Sequence, residues 1–279
     1  MIERTLISAD ALRALRHAGA TCVLLDCGFE LSDVQAGARA YAQGHLPGAA
    51  RADLDRDLSA AKNGRNGRHP LPTREAFAAT VARWGVRPGV PVVCYDDHGG
   101  VYAARAWWML RWIGHDEVAV LDGGRAAWLA AGGTLESAVP TLDDEAAPYP
   151  LGPATMPTVA ADRLLGLLGR VTVLDARSGE RFRGETEPFD PVAGHIPGAR
   201  NRFHKENLRA DGRFRGAPEL REAFAPFGEP TACVHQCGSG VTACHNLLAM
   251  EHAGLTGSAL YPGSWSEWCA DPARPIARG

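Results

Sequence analysis

The chain has 279 residues, 46% hydrophobic and 22% charged, with a formal net charge of −3, a composition that fits a globular protein of one large domain or two of ordinary size. The near-neutral charge gives no reason to expect nucleic acid or an anionic membrane as a partner, and no stretch approaches the roughly 18 apolar residues of a membrane span. The start, Met1-Ile-Glu-Arg-Thr, lacks the charged-then-apolar pattern of a secretory signal, so a cytoplasmic location and mostly reduced cysteines are expected.

Taken in chain order, the pattern predicts buried strands over Thr21–Asp26, Val90–Tyr95 and Val118–Leu121, with helices over Thr73–Trp84 and Ala103–Ile113. The acidic and proline-rich stretch from Thr141 to Pro153 reads as a linker. Beyond it come Val173-Leu-Asp175, the apolar run Thr231-Ala-Cys-Val234 and a helix-like stretch from Thr242 to Met250. Short apolar runs alternating with helical patterns predict α/β architecture, in which a parallel sheet is covered by helices. The expected division is a first domain over 1–140, a linker over 141–157 and a second domain over 158–279.

The second half repeats the first. Gly44-His-Leu-Pro-Gly-Ala49 returns as Gly194-His-Ile-Pro-Gly-Ala199, and Gly100-Val101 returns as Gly240-Val241. Asp97 lies 31 residues before Trp128, and Cys237 lies 31 residues before Trp268. The repeat makes an asymmetry readable, because the second half has Cys237 where the first has Asp97. An aspartate is no sulfur nucleophile, so the first half is expected to be a structural partner. It carries an extra loop, Lys62 to Pro72, which is expected either to be a solvated linker or to cover the partner's active site.

Cys237-Gly-Ser-Gly-Val-Thr-Ala243 carries the chemistry. A cysteine ending a strand, followed by two glycines and a helix, stands at the mouth of a tight loop whose N–H groups can point inward. That setting favours a thiolate, hence a nucleophile; a buried, inert cysteine is the bland alternative. Cys233, His235, Cys237, Cys244 and His245 crowd together but match no standard zinc spacing, so no metal is expected. No cofactor is expected either, since neither a phosphate-binding loop nor a dinucleotide fingerprint occurs. A cysteine phosphatase needs an arginine six residues after its cysteine, and position 243 is alanine.

On the paired Gly-His-[Leu/Ile]-Pro-Gly-Ala motifs, the Cys237 loop and Gly263-Ser-Trp-Ser-Glu-Trp268, nearly the whole chain resembles the tandem-domain rhodanese-like sulfurtransferases, and within them the 3-mercaptopyruvate sulfurtransferases. The resemblance implies two parallel-sheet domains and a reaction in two halves. Cys237 takes sulfur from a small donor as a persulfide, and an acceptor thiol (thioredoxin among the candidates) or cyanide then removes it. It implies that Ser239, His69 and Asp55 handle protons. It implies too that Arg181 holds the donor carboxylate and that Gly238, Gly240, Val241, Thr242 and Trp265 complete the binding site.

The sequence departs from the family at one point. A second arginine is expected about nine residues after Arg181, and Phe189 and Asp190 stand there instead. Arg183, Arg200 and Arg202 are candidates to replace it. Two other readings stay open: thiosulfate:cyanide sulfurtransfer by the same residues, and a non-enzymatic carrier of persulfide sulfur.

Overall fold

The computed structural model describes residues 4–279. The chain divides into two compact units, and each unit includes a short segment from the other half of the sequence. The first comprises the residues up to Leu58, Pro72–Thr155 and Ala210–Phe214; the second comprises Ser59–Leu71, Met156–Arg209 and Arg215–Gly279. The extra loop of the first repeat is thus part of the second unit.

In the first unit, strands β1 (Leu6–Ile7), β2 (Val23–Asp26), β3 (Ala50–Arg51), β4 (Val92–Tyr95) and β5 (Val118–Leu121) form a parallel sheet of order β1-β5-β4-β2-β3. Strand β4 starts two residues later than the apolar run predicts. Pro91 has no N–H to give a ladder, and only its carbonyl is used, by the Val23 N–H. Thr73 caps the helix Arg74–Arg83, its Oγ1 accepting the Ala76 N–H at 3.1 Å.

In the second unit, β6 (Thr172–Asp175), β7 (Arg200–Asn201), β8 (Cys233–Gln236) and β9 (Ala259–Leu260) are parallel, in the order β7-β6-β8-β9. This repeats β3-β2-β4-β5. A single parallel bridge, Thr158 to Leu260, stands where β1 pairs in the first unit. Every residue from Ala243 to Met250 of the helix Thr242–His252 is buried, with the two polar ones, His245 and Asn246, meeting Asn207.

The two Gly-His-x-Pro-Gly-Ala motifs fold alike. Leu46 and Ile196 are fully buried. The Ala49 N–H donates to the Leu46 carbonyl as that of Ala199 does to Ile196, across left-handed glycines Gly48 (φ +79°) and Gly198 (φ +77°). His45 and His195 turn Nδ1 onto the carbonyls of Tyr41 and Phe182. The motif is a scaffold element in both repeats. The stretch 141–157 carries no helix and no strand pairing, but it is pinned to the first unit through Tyr149, which is buried and donates its N–H to the Ala78 carbonyl. Among the described residues no helix is long and apolar enough to cross a membrane.

Candidate active site

Strand β8 ends at Gln236 and the helix begins at Thr242, so Cys237–Val241 must turn sharply between them. Gly240 makes the turn at φ +80°, with no room for a Cβ against the Pro262 backbone. Its N–H then points back and donates to Sγ of Cys237 at 3.1 Å. Cys237 is buried, and its own N–H donates to Oγ of Ser264 at 3.1 Å. Ser264 sits in the left-handed region, φ 54°, where its Oγ also reaches the Tyr261 carbonyl. The N–H groups of Trp265 and Ser266 hold the carbonyls of Cys237 and Gly238 at 3.0 and 2.9 Å. The nucleophile loop is therefore clamped on both its donors and its acceptors, which fixes the sulfur before any ligand arrives.

The loop 59–71 reaches the same place. Its Arg68 N–H donates to Oγ of Ser266 at 2.9 Å, and Nδ1 of His69 lies 2.8 Å from Oγ of Ser239. Both His69 and Ser239 are buried. Asp55 belongs to the first unit, where its N–H donates to Oδ1 of Asp53.

A charged cluster borders Gly238. Arg181, on the helix Gly179–Arg183, makes a forked pair with Glu187 at 2.7–3.2 Å. Glu187 also meets Arg177 at 3.3 Å. Arg177 is buried, bonded to Asp175 and stacked 4.9 Å over the Trp265 ring. Arg68 donates to Oδ1 of Asp190 at 2.5 Å, and Oδ2 of Asp190 is 3.7 Å from Arg181. Burial pushes the Asp190 carboxyl above its ordinary pKa, against the pull of Arg68 and Arg181.

The rhodanese-like domain family matches residues 8–131 and again 160–271. The chain belongs to the rhodanese-like sulfurtransferases. It is 46% identical to a probable 3-mercaptopyruvate sulfurtransferase of Pseudomonas aeruginosa, covering 100% of both chains. It is 42% identical to a putative thiosulfate sulfurtransferase of Mycobacterium tuberculosis, over 99% of this chain and 98% of that one. Among solved structures it resembles a 3-mercaptopyruvate sulfurtransferase from Leishmania major with a TM-score of 0.83 at 33% identity, covering 95% of this chain and 74% of that one. The sulfurtransferase activity of this family runs through a catalytic cysteine, and this chain is such an enzyme.

Within this sulfurtransferase, the residues expected from sequence fall as follows. Cys237, Gly238, Ser239, Gly240 and Val241 form one loop, with Thr242 opening the helix behind it; His69 and Arg181 stand beside it. Trp265 is fully buried, with its N–H on the Val192 carbonyl, and supports Arg177 from below. The crowded cysteines and histidines of this region take separate partners: Cys233 faces Phe227 and Glu229, Cys244 faces Gly240, and His235 faces Met250.

Arg68, Ser264, Ser266 and Glu187 went unrecognised in the sequence. Ser264 and Ser266 lie in a motif that the sequence pattern had already singled out. Arg68 is adjacent to His69, but its place beside Gly238 is a long-range contact that no local pattern signals.

Proposed function

We propose that the enzyme moves sulfane sulfur from 3-mercaptopyruvate to a thiol acceptor through a persulfide on Cys237. The observation that carries this reading is the Gly240 N–H aimed at Sγ of Cys237, beside the buried Ser239–His69 pair. A fixed N–H stabilises the thiolate and the persulfide anion without reorganising.

In the first half-reaction the thiolate attacks the donor sulfur. An S–S bond forms as the C–S bond breaks, and the bonding pair leaves as the enolate of pyruvate. The donor's thiol proton must end on that carbon. Ser239 and His69 provide a path for it, with Asp55 as the third proposed member. In the second half-reaction an acceptor thiolate attacks the outer sulfur, and the Cys237 thiolate returns. Arg181 and the N–H groups of Gly238, Val241 and Thr242 are the proposed donor-binding groups. The acceptor is proposed to be a thiol, small or protein-borne as in thioredoxin, and the setting cytoplasmic.

Steady-state sulfur transfer to a thiol, with 3-mercaptopyruvate and thiosulfate compared as donors, tests the reading. It requires a large kcat/KM preference for mercaptopyruvate; a preference for thiosulfate overturns the donor assignment.

A further inference from the structure

Besides Arg181, the sequence brings three arginines of the second half to attention, and the structure sorts them. Arg183 pairs with exposed Glu185. Arg200 bonds the Pro226 carbonyl and lies over Phe227. Arg202 is held by Glu206 and Asn207. None of these three replaces the arginine missing at position 189 or 190.

Two guanidinium groups do converge on the residue after the nucleophile. A Cβ placed on Gly238 would stand 2.9 Å from Nη2 of Arg68 and 3.2 Å from Nη2 of Arg181. The lack of a side chain at Gly238 thus lets both guanidinium groups close on its Cα, Arg68 nearer than any Cβ would allow. Phe189 and Asp190 are what bring Arg68 there. The exposed Phe189 ring lies under both groups, 5.3 Å from Arg68 Cζ and 5.0 Å from Arg181 Cζ. Asp190 Oδ1 takes the Arg68 Nη1 donor. Two polar atoms of this cluster are buried with no hydrogen-bond partner, Nε of Arg68 and Oδ2 of Asp190. An unfilled buried N–H donor is costly, and it marks where an acceptor oxygen belongs.

We propose that Arg68, paired with Arg181 across Gly238, binds the carboxylate of the sulfur donor, and that Phe189 and Asp190 position Arg68 for it. This rests on the reading that the donor is an α-keto carboxylate. The charge count favours that class. Arg68, Arg177 and Arg181 face Asp175, Glu187 and Asp190, so the cluster is neutral before the donor arrives. A neutral cluster offers a dianion little Coulombic attraction. It still offers a planar carboxylate directed N–H donors, which is how guanidinium recognises it.

The test compares 3-mercaptopyruvate with mercaptoacetone, which keeps the ketone and thiol but lacks the carboxylate. Wild type should strongly favour mercaptopyruvate. In Arg68→Ala the mercaptopyruvate kcat/KM should fall about 10- to 100-fold, the size of one lost charge-assisted hydrogen bond. The fall should lie mainly in KM, with mercaptoacetone turnover unchanged, and Arg68→Lys should recover part of it. Equal losses on both donors would mean that Arg68 acts only by holding His69 or the loop, and would overturn the proposal. So would no loss on either donor. A wild type that treats the two donors alike would instead overturn the donor reading itself, and the carboxylate role with it.

Discussion

Nδ1 of His69 stands 2.8 Å from Oγ of Ser239, two buried side chains 170 positions apart in the chain. Mercaptopyruvate cleavage generates an enolate that needs a proton, whereas thiosulfate releases sulfite and needs none at carbon. Ser239→Ala and His69→Gln should therefore lower kcat for mercaptopyruvate about 100-fold, within the usual range for general acid–base groups. Thiosulfate turnover should change far less. Steady-state kinetics with both donors checks this, and equal losses would count against a proton path through the pair.

Asp190 puts a carboxylate against Arg68 and Arg181, the two groups proposed to bind the donor. Asp190→Asn keeps its shape and leaves the surrounding cluster with one net positive charge. The gain in attraction is larger for a dianion than for a monoanion. The ratio of thiosulfate to mercaptopyruvate kcat/KM should rise, and an unchanged ratio would show that Asp190 does not influence donor choice.

The corresponding turn of the first repeat is filled from within the chain. The Asp96 carboxylate accepts the N–H groups of His98, Gly100, Tyr102 and Ala103 at 2.7–2.9 Å. Gly100 is the counterpart of Gly240, whose N–H serves the Cys237 sulfur. The same turn thus aims a glycine N–H at an acceptor in both units, the Cys237 sulfur in one and the Asp96 carboxylate in the other. Asp97, the counterpart of Cys237, is engaged with Arg125. Asp96→Asn replaces an acceptor with a donor facing other donors. It should cost about 2–4 kcal/mol, read as a lowered urea midpoint. A shift within experimental error would mean that the turn is held by other contacts.

Much of this was legible in the sequence, because repetition carries long-range information that local patterns lack. The strand Val92–Tyr95 and the helices after both turns follow from apolar runs and glycine turns, the strand Cys233–Gln236 is shifted two residues beyond the apolar run Thr231–Val234, and the duplication aligns Asp97 with Cys237. The short strands β1, β3, β7 and β9 have two residues each, too few to leave a period. Arg68 illustrates the other limit. Its role depends on Asp190, 122 positions away, and on the loop 59–71 belonging to the second unit. Neither fact leaves a mark near Arg68 itself.

His235 is fully buried on β8, and burial pushes its pKa down to about 3. In the unfolded chain it titrates near 6.5, so the unfolded state binds the proton first as pH falls. The stability that neutral His235 contributes is complete above about pH 6.5 and is lost progressively as pH falls toward about 3. The slope approaches about 1.4 kcal/mol per pH unit. His204, pushed down to about 4, adds to it in the same direction. His235→Leu should flatten the dependence of the urea midpoint between pH 7 and pH 5. A parallel shift with unchanged slope would mean that His235 is not the titrating group.

The most direct test of the central claim is the intact mass of the protein after exposure to 3-mercaptopyruvate without acceptor, followed by peptide mapping. The account predicts one added sulfur atom on the peptide bearing Cys237, removed by a thiol acceptor, and no addition in Cys237→Ser. Sulfur carried on another cysteine, or a Cys237→Ser protein that still transfers sulfur, would contradict it.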